Sequence, residues 1–104
     1  MPYVELAKLH QLHDGYRRLV RIAGRDWLLL HEQGKSYLIN NACPHQGAPL
    51  TRATLESGHL RCPQHGITFD LISGRATTAN CPQHLQFLPL VYEGNSLGIY
   101  LDEQ

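Results

Sequence analysis

The chain has 104 residues, a length typical of a single domain with a modest core, and we treat residues 1–104 as one domain. Nine Lys and Arg residues balance nine Asp and Glu residues, so the basic surface typical of nucleic-acid binding is not expected. The apolar runs near the start are too short to span a membrane and do not form a secretory signal, which predicts a cytoplasmic protein with no membrane attachment.

Short strands dominate the first half of the chain. Residues 4–10 predict one or two helical turns, which end at the turn-forming residues 13–15. Residues 16–22 predict a half-buried strand, because apolar residues lie among arginines there. Residues 25–40 contain two apolar runs around Gly34, which predicts a hairpin because glycine adopts a positive φ at little cost.

Further short strands follow in the second half. Residues 59–62 and 67–71 predict strands, the second followed by a glycine turn. Residues 87–101 predict another hairpin that turns at 93–96, and Pro89 indicates an edge or a strand start. The fold class is therefore all-β and antiparallel, with the cysteine motifs in loops between strands.

Two of the three cysteines form similar motifs with histidines. Three cysteines are an odd number for a disulfide framework, which favours ligand or catalytic roles. The two motifs pair Cys43 with His45 and Cys62 with His65, and sixteen residues separate them. Thiolate and imidazole are good ligands for iron or zinc, so the motifs predict a single four-ligand site. A glycine follows each pair, and we expect the backbone there to approach the metal centre and point amides at it.

The two motifs together resemble those of the Rieske ferredoxins. The sequence HQGAPL completes the first motif and HGITFD the second, and the resemblance extends from YRRLVRI to LGIYL. It implies one 2Fe-2S cluster, with Cys43 and Cys62 on one iron and His45 and His65 on the other. It also implies a small cluster-binding subdomain inserted in a larger antiparallel β-barrel or sandwich.

Three differences within that family indicate its soluble, low-potential branch. Ala48 and Gln64 stand where members from cytochrome bc complexes have bridging cysteines, and Ile67 stands where they have a serine that donates to a cluster sulfide. A transmembrane anchor is missing as well. Without the serine, negative charge on the reduced cluster is less compensated, so the potential is expected near the low end of the Rieske range of about −150 to +300 mV.

The resemblance also implies the partners. Members of this branch carry electrons from a flavin reductase to a terminal oxygenase, often a ring-hydroxylating dioxygenase, and are commonly monomers. The chain is too short to include an oxygenase domain, which predicts an electron-transfer protein rather than an enzyme.

The third motif, at residues 81–84, repeats the spelling Cys-Pro-Gln-His without the following glycine. We interpret it as a loop before the last hairpin, because four ligands are already supplied and short motif matches are weak evidence. The alternative is that Cys81 and Pro82 pack over the cluster. Phe69 is expected beneath the cluster loops, and Asp70 is expected to brace the turn after them.

The surface around the cluster is expected to be apolar and neutral, which predicts weakly salt-dependent docking. The alternative is charge-driven docking through residues such as Arg52 or Arg61, which would make electron transfer strongly salt-dependent. Its predicted members are Gln46, Pro49, Leu50, Pro63, Gln64 and Pro82.

Two alternative functions remain open for the same two motifs. A structural zinc site has the same ligand types, although its paired ligands are usually spaced two to four residues apart, and Cys-x-His is tight for that. The small subunit of a nitrite reductase also resembles this chain, but such relatives often lack some cluster ligands, and all four are present here.

Overall fold

The computed structural model describes residues 2–44, 47–63, 66–77 and 82–101. These residues form nine strands in three antiparallel sheets and one short 3-10 turn, Leu9–Gln11. The strands are β1 Tyr3–Lys8, β2 Tyr16–Ile22, β3 Arg25–Glu32, β4 Lys35–Asn40, β5 Thr54–Glu56, β6 His59–Arg61, β7 Thr68–Asp70, β8 Val91–Glu93 and β9 Ser96–Tyr100. The sheet orders are β2-β3-β4, β1-β9-β8 and β5-β6-β7.

The sheet β2-β3-β4 separates two apolar cores. Successive side chains of a strand point to opposite faces, and alternate residues of β3 therefore enter different cores. Leu28 and Leu30 pack into the core that contains both loop cysteines, whereas Trp27 and Leu29 pack against β1 and β9. This burial on both faces explains why β3 is a continuous apolar run rather than an alternating one.

The third sheet, β5-β6-β7, lies in the sequence between β4 and β8, with the two cysteine loops before and after β5 and β6. This is the inserted subdomain implied by the resemblance, and the all-β antiparallel fold class is confirmed. Both predicted hairpins are present. The first turns at Gln33 and Gly34, which both have positive φ, as the two-residue turns that match strand twist require.

The prediction of helical turns at residues 4–10 was wrong. Residues 3–8 form β1, which pairs with β9 from Tyr3 opposite Tyr100 to Lys8 opposite Ser96. A register shift between Glu5 and Ala7 interrupts this pairing, and Leu6 and Ala7 are both buried. The bulge removes the strict alternation by which a strand is read from sequence, which is the physical reason for the error.

Strand β5 was not predicted, since three residues are too few to show a period. Strand β8 begins two residues after Pro89 and lies at the edge of its sheet, as that proline indicated. Among the described residues, no helix is long and apolar enough to cross a membrane.

Candidate metal centre

The two cysteine loops have the same backbone hydrogen bonds. The N–H of Cys43 donates to the carbonyl of Ala48 at 2.6 Å, and the N–H of Cys62 donates to that of Ile67 at 2.9 Å. In return, the N–H of the glycine four residues after each cysteine donates to the cysteine carbonyl, at 2.7 Å in the first loop and 3.0 Å in the second. Each cysteine therefore begins a closed turn of the same size, although the histidine spacing differs between the motifs.

Glycine is required in these turns because of its backbone conformation. Gly47 has φ +77° and Gly66 has φ +68°, a region that residues with a Cβ rarely adopt. Their own amides donate to the cysteine carbonyls, and the approach of the other loop amides to a metal centre stays a prediction.

Both cysteines are buried in one apolar core. Cys43 is 2% exposed and Cys62 is 1% exposed, and the same core includes Phe69, Leu85 and Ile67. Phe69 lies there as predicted. The Ile67 side chain contributes only apolar surface to this core, and its backbone carbonyl accepts the N–H of Cys62.

The first loop is held by side chains as well as by its own backbone. The Asn41 Oδ1 atom accepts the N–H of Leu50 at 2.8 Å, which joins the two ends of the loop. The Arg17 guanidinium on β2 donates to the carbonyl of Thr51 at 2.9 Å. These bonds fix the loop to the rigid sheet β2-β3-β4, so its shape does not depend on the loop residues alone.

The second loop is followed by a tight turn. As predicted, Asp70 braces this turn, since its Oδ1 atom accepts the N–H of Ile72 at 2.8 Å. The Asp70 carbonyl also accepts the N–H of Gly74 at 2.7 Å. A Cβ at Gly74 would lie 2.9 Å from the Phe87 ring, so only glycine fits where this turn meets the last part of the chain.

The second half of the third motif and the two residues after it lie beside the first loop. A cavity of about 390 Å³ is lined by Asn40, Ala42, Cys43, Pro44 and residues 83–86. The N–H of Leu85 donates to Gly74, and the carbonyl of Gln86 accepts the N–H of Asn40, so the segment connects the two loop regions. Pro82 is exposed, and Cys81 lies outside the described residues.

A half-buried tyrosine ring packs against the same core. The pKa of Tyr37 is raised above its ordinary value, first by burial and then by the negative charges of Glu32 and Asp70. The neutral phenol is therefore favoured at this position.

The structure places the predicted residues as follows. Cys43 and Cys62 are brought into one core, whereas His45 and His65 lie outside the described residues, as do Gln46 and Gln64. Pro49 and Pro63 are exposed as expected. Leu50 is 0% exposed, so its assignment to the docking rim was wrong. It enters the core because Asn41 closes the loop behind it.

Sequence reasoning missed the loop-closing roles of Asn41 and Arg17, whereas Arg61 was named only in the alternative of charge-driven docking. An asparagine just before a turn is a recognisable capping signal and could have identified the first. No sequence signal identifies the role of Arg17, since it depends on how β2 lies against the end of the first loop. Among the described residues, no three His, Cys, Asp or Glu side chains form another group suited to a metal ion.

Comparison with known proteins identifies a family whose model matches most of the chain. The family model for the Rieske [2Fe-2S] domain matches residues 3–89. The ferredoxin component of the naphthalene 1,2-dioxygenase system of Pseudomonas aeruginosa is 28% identical over 99 residues, which cover 95% of each chain. The solved ferredoxin of carbazole 1,9a-dioxygenase from Nocardioides aromaticivorans IC177 superposes with a TM-score of 0.82, at 25% identity over 95% of this chain and 97% of that one.

A longer protein also matches. Apoptosis-inducing factor 3 of Homo sapiens is 37% identical over 73 residues, which are 68% of this chain. The chain spans only 12% of that protein, in contrast to 95% of the ferredoxin component.

The described residues fit a cluster of the kind that the family model names. Two thiols lie in one core, each at the start of an equivalent loop, and a histidine follows each of them in the sequence. Sulfur donors suit iron–sulfur clusters, and the apolar surroundings limit water access. The cofactor of this domain is therefore one 2Fe-2S cluster.

Proposed function

Because the chain belongs to the Rieske [2Fe-2S] domain family, we propose that it is a one-electron carrier and not itself an enzyme. The observation that carries this proposal is the pair of equivalent loops, each beginning at a buried cysteine in one shared core. When bound, a 2Fe-2S cluster supplies a centre that takes up and releases one electron. The protein's contribution is to hold that centre between the two cysteine loops and to present it to partners.

We propose that the ligands are Cys43 and Cys62 on one iron and His45 and His65 on the other. Each cysteine is fixed by two backbone hydrogen bonds, one from its N–H and one to its carbonyl. Pro44 and Pro63 follow the cysteines directly and restrict the backbone at the same place in both loops. This equivalence supports one shared site rather than two separate ones.

Other residues determine how firmly the site is held and how it is solvated. Asn41 closes the first loop and Asp70 braces the turn after the second. Leu50, Phe69 and Leu85 pack in the same core as the cysteines and keep water from their side of the loops. A rigid, dry support of this kind lowers the rearrangement needed when charge changes at the site.

We further propose that the potential is low within the Rieske range. The Ile67 side chain has no hydrogen-bond donor, and it is 7% exposed in the core beside Cys62. No hydroxyl at this position compensates the added negative charge on reduction, so reduction is less favourable than in members that have one.

The proposed partners are a flavin reductase that donates the electron and a terminal oxygenase that accepts it. The similarity to ferredoxins of naphthalene and carbazole dioxygenase systems supports this assignment. An oxygenase that hydroxylates an aromatic ring is the corresponding acceptor class. We also expect a single domain that acts as a monomer in the cytoplasm, with no nucleic acid or membrane partner.

Reconstituted electron transfer tests the proposal. The protein is mixed with the reductase and the oxygenase of an aromatic dioxygenase system, and NADH consumption and ring hydroxylation are followed as its concentration is varied. We expect both rates to rise with the protein and to be absent without it. Hydroxylation by the protein alone, or no reduction by any of a panel of flavin reductases, would contradict the carrier function.

A further inference from the structure

Arg61 is the last residue of β6 and immediately precedes Cys62. In the sheet β5-β6-β7 it lies opposite Thr54 on one side and Thr68 on the other. Its neighbour Leu60 is 0% exposed and faces the core, so Arg61 belongs to the outer, polar face of this sheet. Arg61 itself is exposed. A permanent positive charge therefore stands at the edge of the second cysteine loop.

Although it is exposed, the Arg61 side chain lies over the second cysteine loop. A Cβ added at Gly66 would be 3.2 Å from the Arg61 Nη2 atom, 3.5 Å from Nε and 3.8 Å from Cζ. Three guanidinium atoms at these distances place the group against the backbone at Gly66, whose N–H donates to the carbonyl of Cys62. The charge is thus held close to the turn that positions Cys62.

No acceptor neutralises this guanidinium within the described part of the chain. Arg61 makes no ion pair or hydrogen bond there, and the two ion pairs that the described residues form join Lys8 to Glu5 and Arg21 to Asp26. Glu56 and Asp70 share the outer face of the sheet, but they lie opposite His59, two positions away along β6. As far as the described residues show, the donors of Arg61 are therefore available for an anionic partner.

A cavity next to Arg61 offers the space for such a partner. It has a volume of about 530 Å³ and opens to solvent, and its lining residues are Thr54, Arg61, Cys62, Pro63 and Gly66. The volume is ample for a carboxylate side chain, and a guanidinium binds a carboxylate with two parallel hydrogen bonds.

We propose that this cavity receives an Asp or Glu side chain of the redox partner, which pairs with Arg61 beside Cys62. The inference rests on the proposed function, since it gives the partner a docking point next to the electron-transfer site. A rim charge of this kind acts mainly on the association rate and on its salt dependence. It replaces the expectation of weakly salt-dependent docking, which included the buried Leu50 among its surface residues.

Electron transfer to acceptors of opposite surface charge tests the proposal. The reduced protein is mixed in a stopped-flow instrument with plant plastocyanin, whose docking surface carries carboxylates, and separately with cytochrome c, whose surface carries lysines. For Arg61→Glu we expect the rate to plastocyanin at low salt to fall by on the order of tenfold and the rate to cytochrome c to rise. Both differences should vanish in about 1 M salt, where screening acts over about 3 Å.

Two further variants separate charge from structure. Arg61→Lys keeps the charge and should retain most of the rate to plastocyanin. Lys35→Glu makes the same charge change at the far end of β4 from the first loop and should alter both rates much less. The midpoint potential is measured for every variant, because a change in driving force persists in high salt and a docking effect does not.

The outcomes distinguish this proposal from the proposed function. If Arg61→Glu and Lys35→Glu change the rates equally, or if the Arg61→Glu effect persists in high salt, the docking site is contradicted while the carrier function stands. If the wild-type protein shows no reversible reduction at all, the carrier function itself is contradicted.

Discussion

Cys43 and Cys62 share the same surroundings. Both lie in the core under the loops, and the backbone on either side of each is fixed by hydrogen bonds. Thiolate is the ligand that iron–sulfur clusters require, and a serine hydroxyl is a poor substitute for it. Whether the side-chain atom at these two positions is sulfur or oxygen should therefore decide whether the cluster is retained.

The first prediction tests this assignment. We expect Cys43→Ser and Cys62→Ser to lose most of the visible absorption and most of the bound iron and sulfide. Cys81→Ser is the matched control and should keep both. Absorption and iron content per chain are measured after identical purification. A Cys81→Ser protein that is colourless, together with a coloured Cys62→Ser protein, would show that the second loop is assigned wrongly.

The second prediction concerns Tyr37. Because its pKa is raised in the folded protein, the unfolded chain loses the phenol proton first as the pH rises. The stability contributed by the neutral phenol is complete below the ordinary tyrosine pKa of about 10 and is lost as the pH passes through the higher folded value. We expect Tyr37→Phe to reduce the alkaline loss of stability, measured as urea midpoints at about pH 8 and about pH 11.

The Tyr100→Phe variant serves as the comparison for this experiment. The pKa of Tyr100 is also raised, mainly by its hydrogen bond to Glu93, but this ring is exposed at the opposite end of the chain. A Tyr37→Phe protein with the same alkaline slope as the wild type would mean that the Tyr37 environment does not influence stability.

At the scale of elements, one side-chain hydrogen bond joins the two ends of the first cysteine loop. Asn41→Ala removes the acceptor for the N–H of the buried Leu50, and an unpaired buried donor costs about 1–3 kcal/mol. We expect faster loss of visible absorption in the presence of a chelator and a lower melting temperature. Asn41→Asp keeps an acceptor oxygen and should stay closer to the wild type. Equal chelation rates for the wild type and Asn41→Ala would contradict a role for Asn41 in closing the loop.

The pairing of β1 with β9 has no space for a side chain at Gly98. A Cβ there would lie 2.1 Å from the Val4 carbonyl oxygen and 2.8 Å from the Tyr3 ring, so the two strands would have to separate. We expect Gly98→Ala to be far less stable than Gly94→Ala. At Gly94 nothing lies within 4 Å, and the cost is the roughly 1–2 kcal/mol of a left-handed backbone. Denaturant midpoints measure both variants, and equal midpoints would contradict the close approach.

Hairpins were the elements that the sequence predicted best. Turn residues such as Gly34 and the run that includes Gly94 mark hairpin turns directly, and the structure confirms both. Strand β1 was mistaken for helical turns because its bulge buries Leu6 and Ala7 together. Local patterns cannot reveal such a shift, since it depends on pairing with a strand almost ninety residues later.

The candidate site likewise has features that the sequence predicted and features that it did not. Residue type and spacing predicted the two cysteine motifs, because ligand chemistry is written in the sequence itself. The burial of Leu50 and the position of Arg61 over Gly66 could not be predicted in this way. Both follow from how the inserted sheet β5-β6-β7 and the first loop fold against the rest of the chain.

At the scale of the whole molecule, the two apolar cores contribute differently to stability and to the cluster site. Among the described residues, the core between β1, β9 and the sheet β2-β3-β4 includes no cysteine, and it joins the two ends of the described chain. The other core supports both cysteine loops from beneath. Substitutions in the core between β1, β9 and the sheet β2-β3-β4 should therefore alter stability more than they alter the cluster environment. Substitutions in the core beneath the cysteine loops should alter both.

The proposed carrier function requires that this protein takes up one electron at a potential in the low part of the Rieske range. A potentiometric titration of the purified protein, followed by its visible absorption, tests it most directly. We expect a reversible one-electron transition near the low end, about −150 mV, because the Ile67 side chain has no hydrogen-bond donor. A potential near the upper end, about +300 mV, or the absence of any reversible transition, would contradict the account.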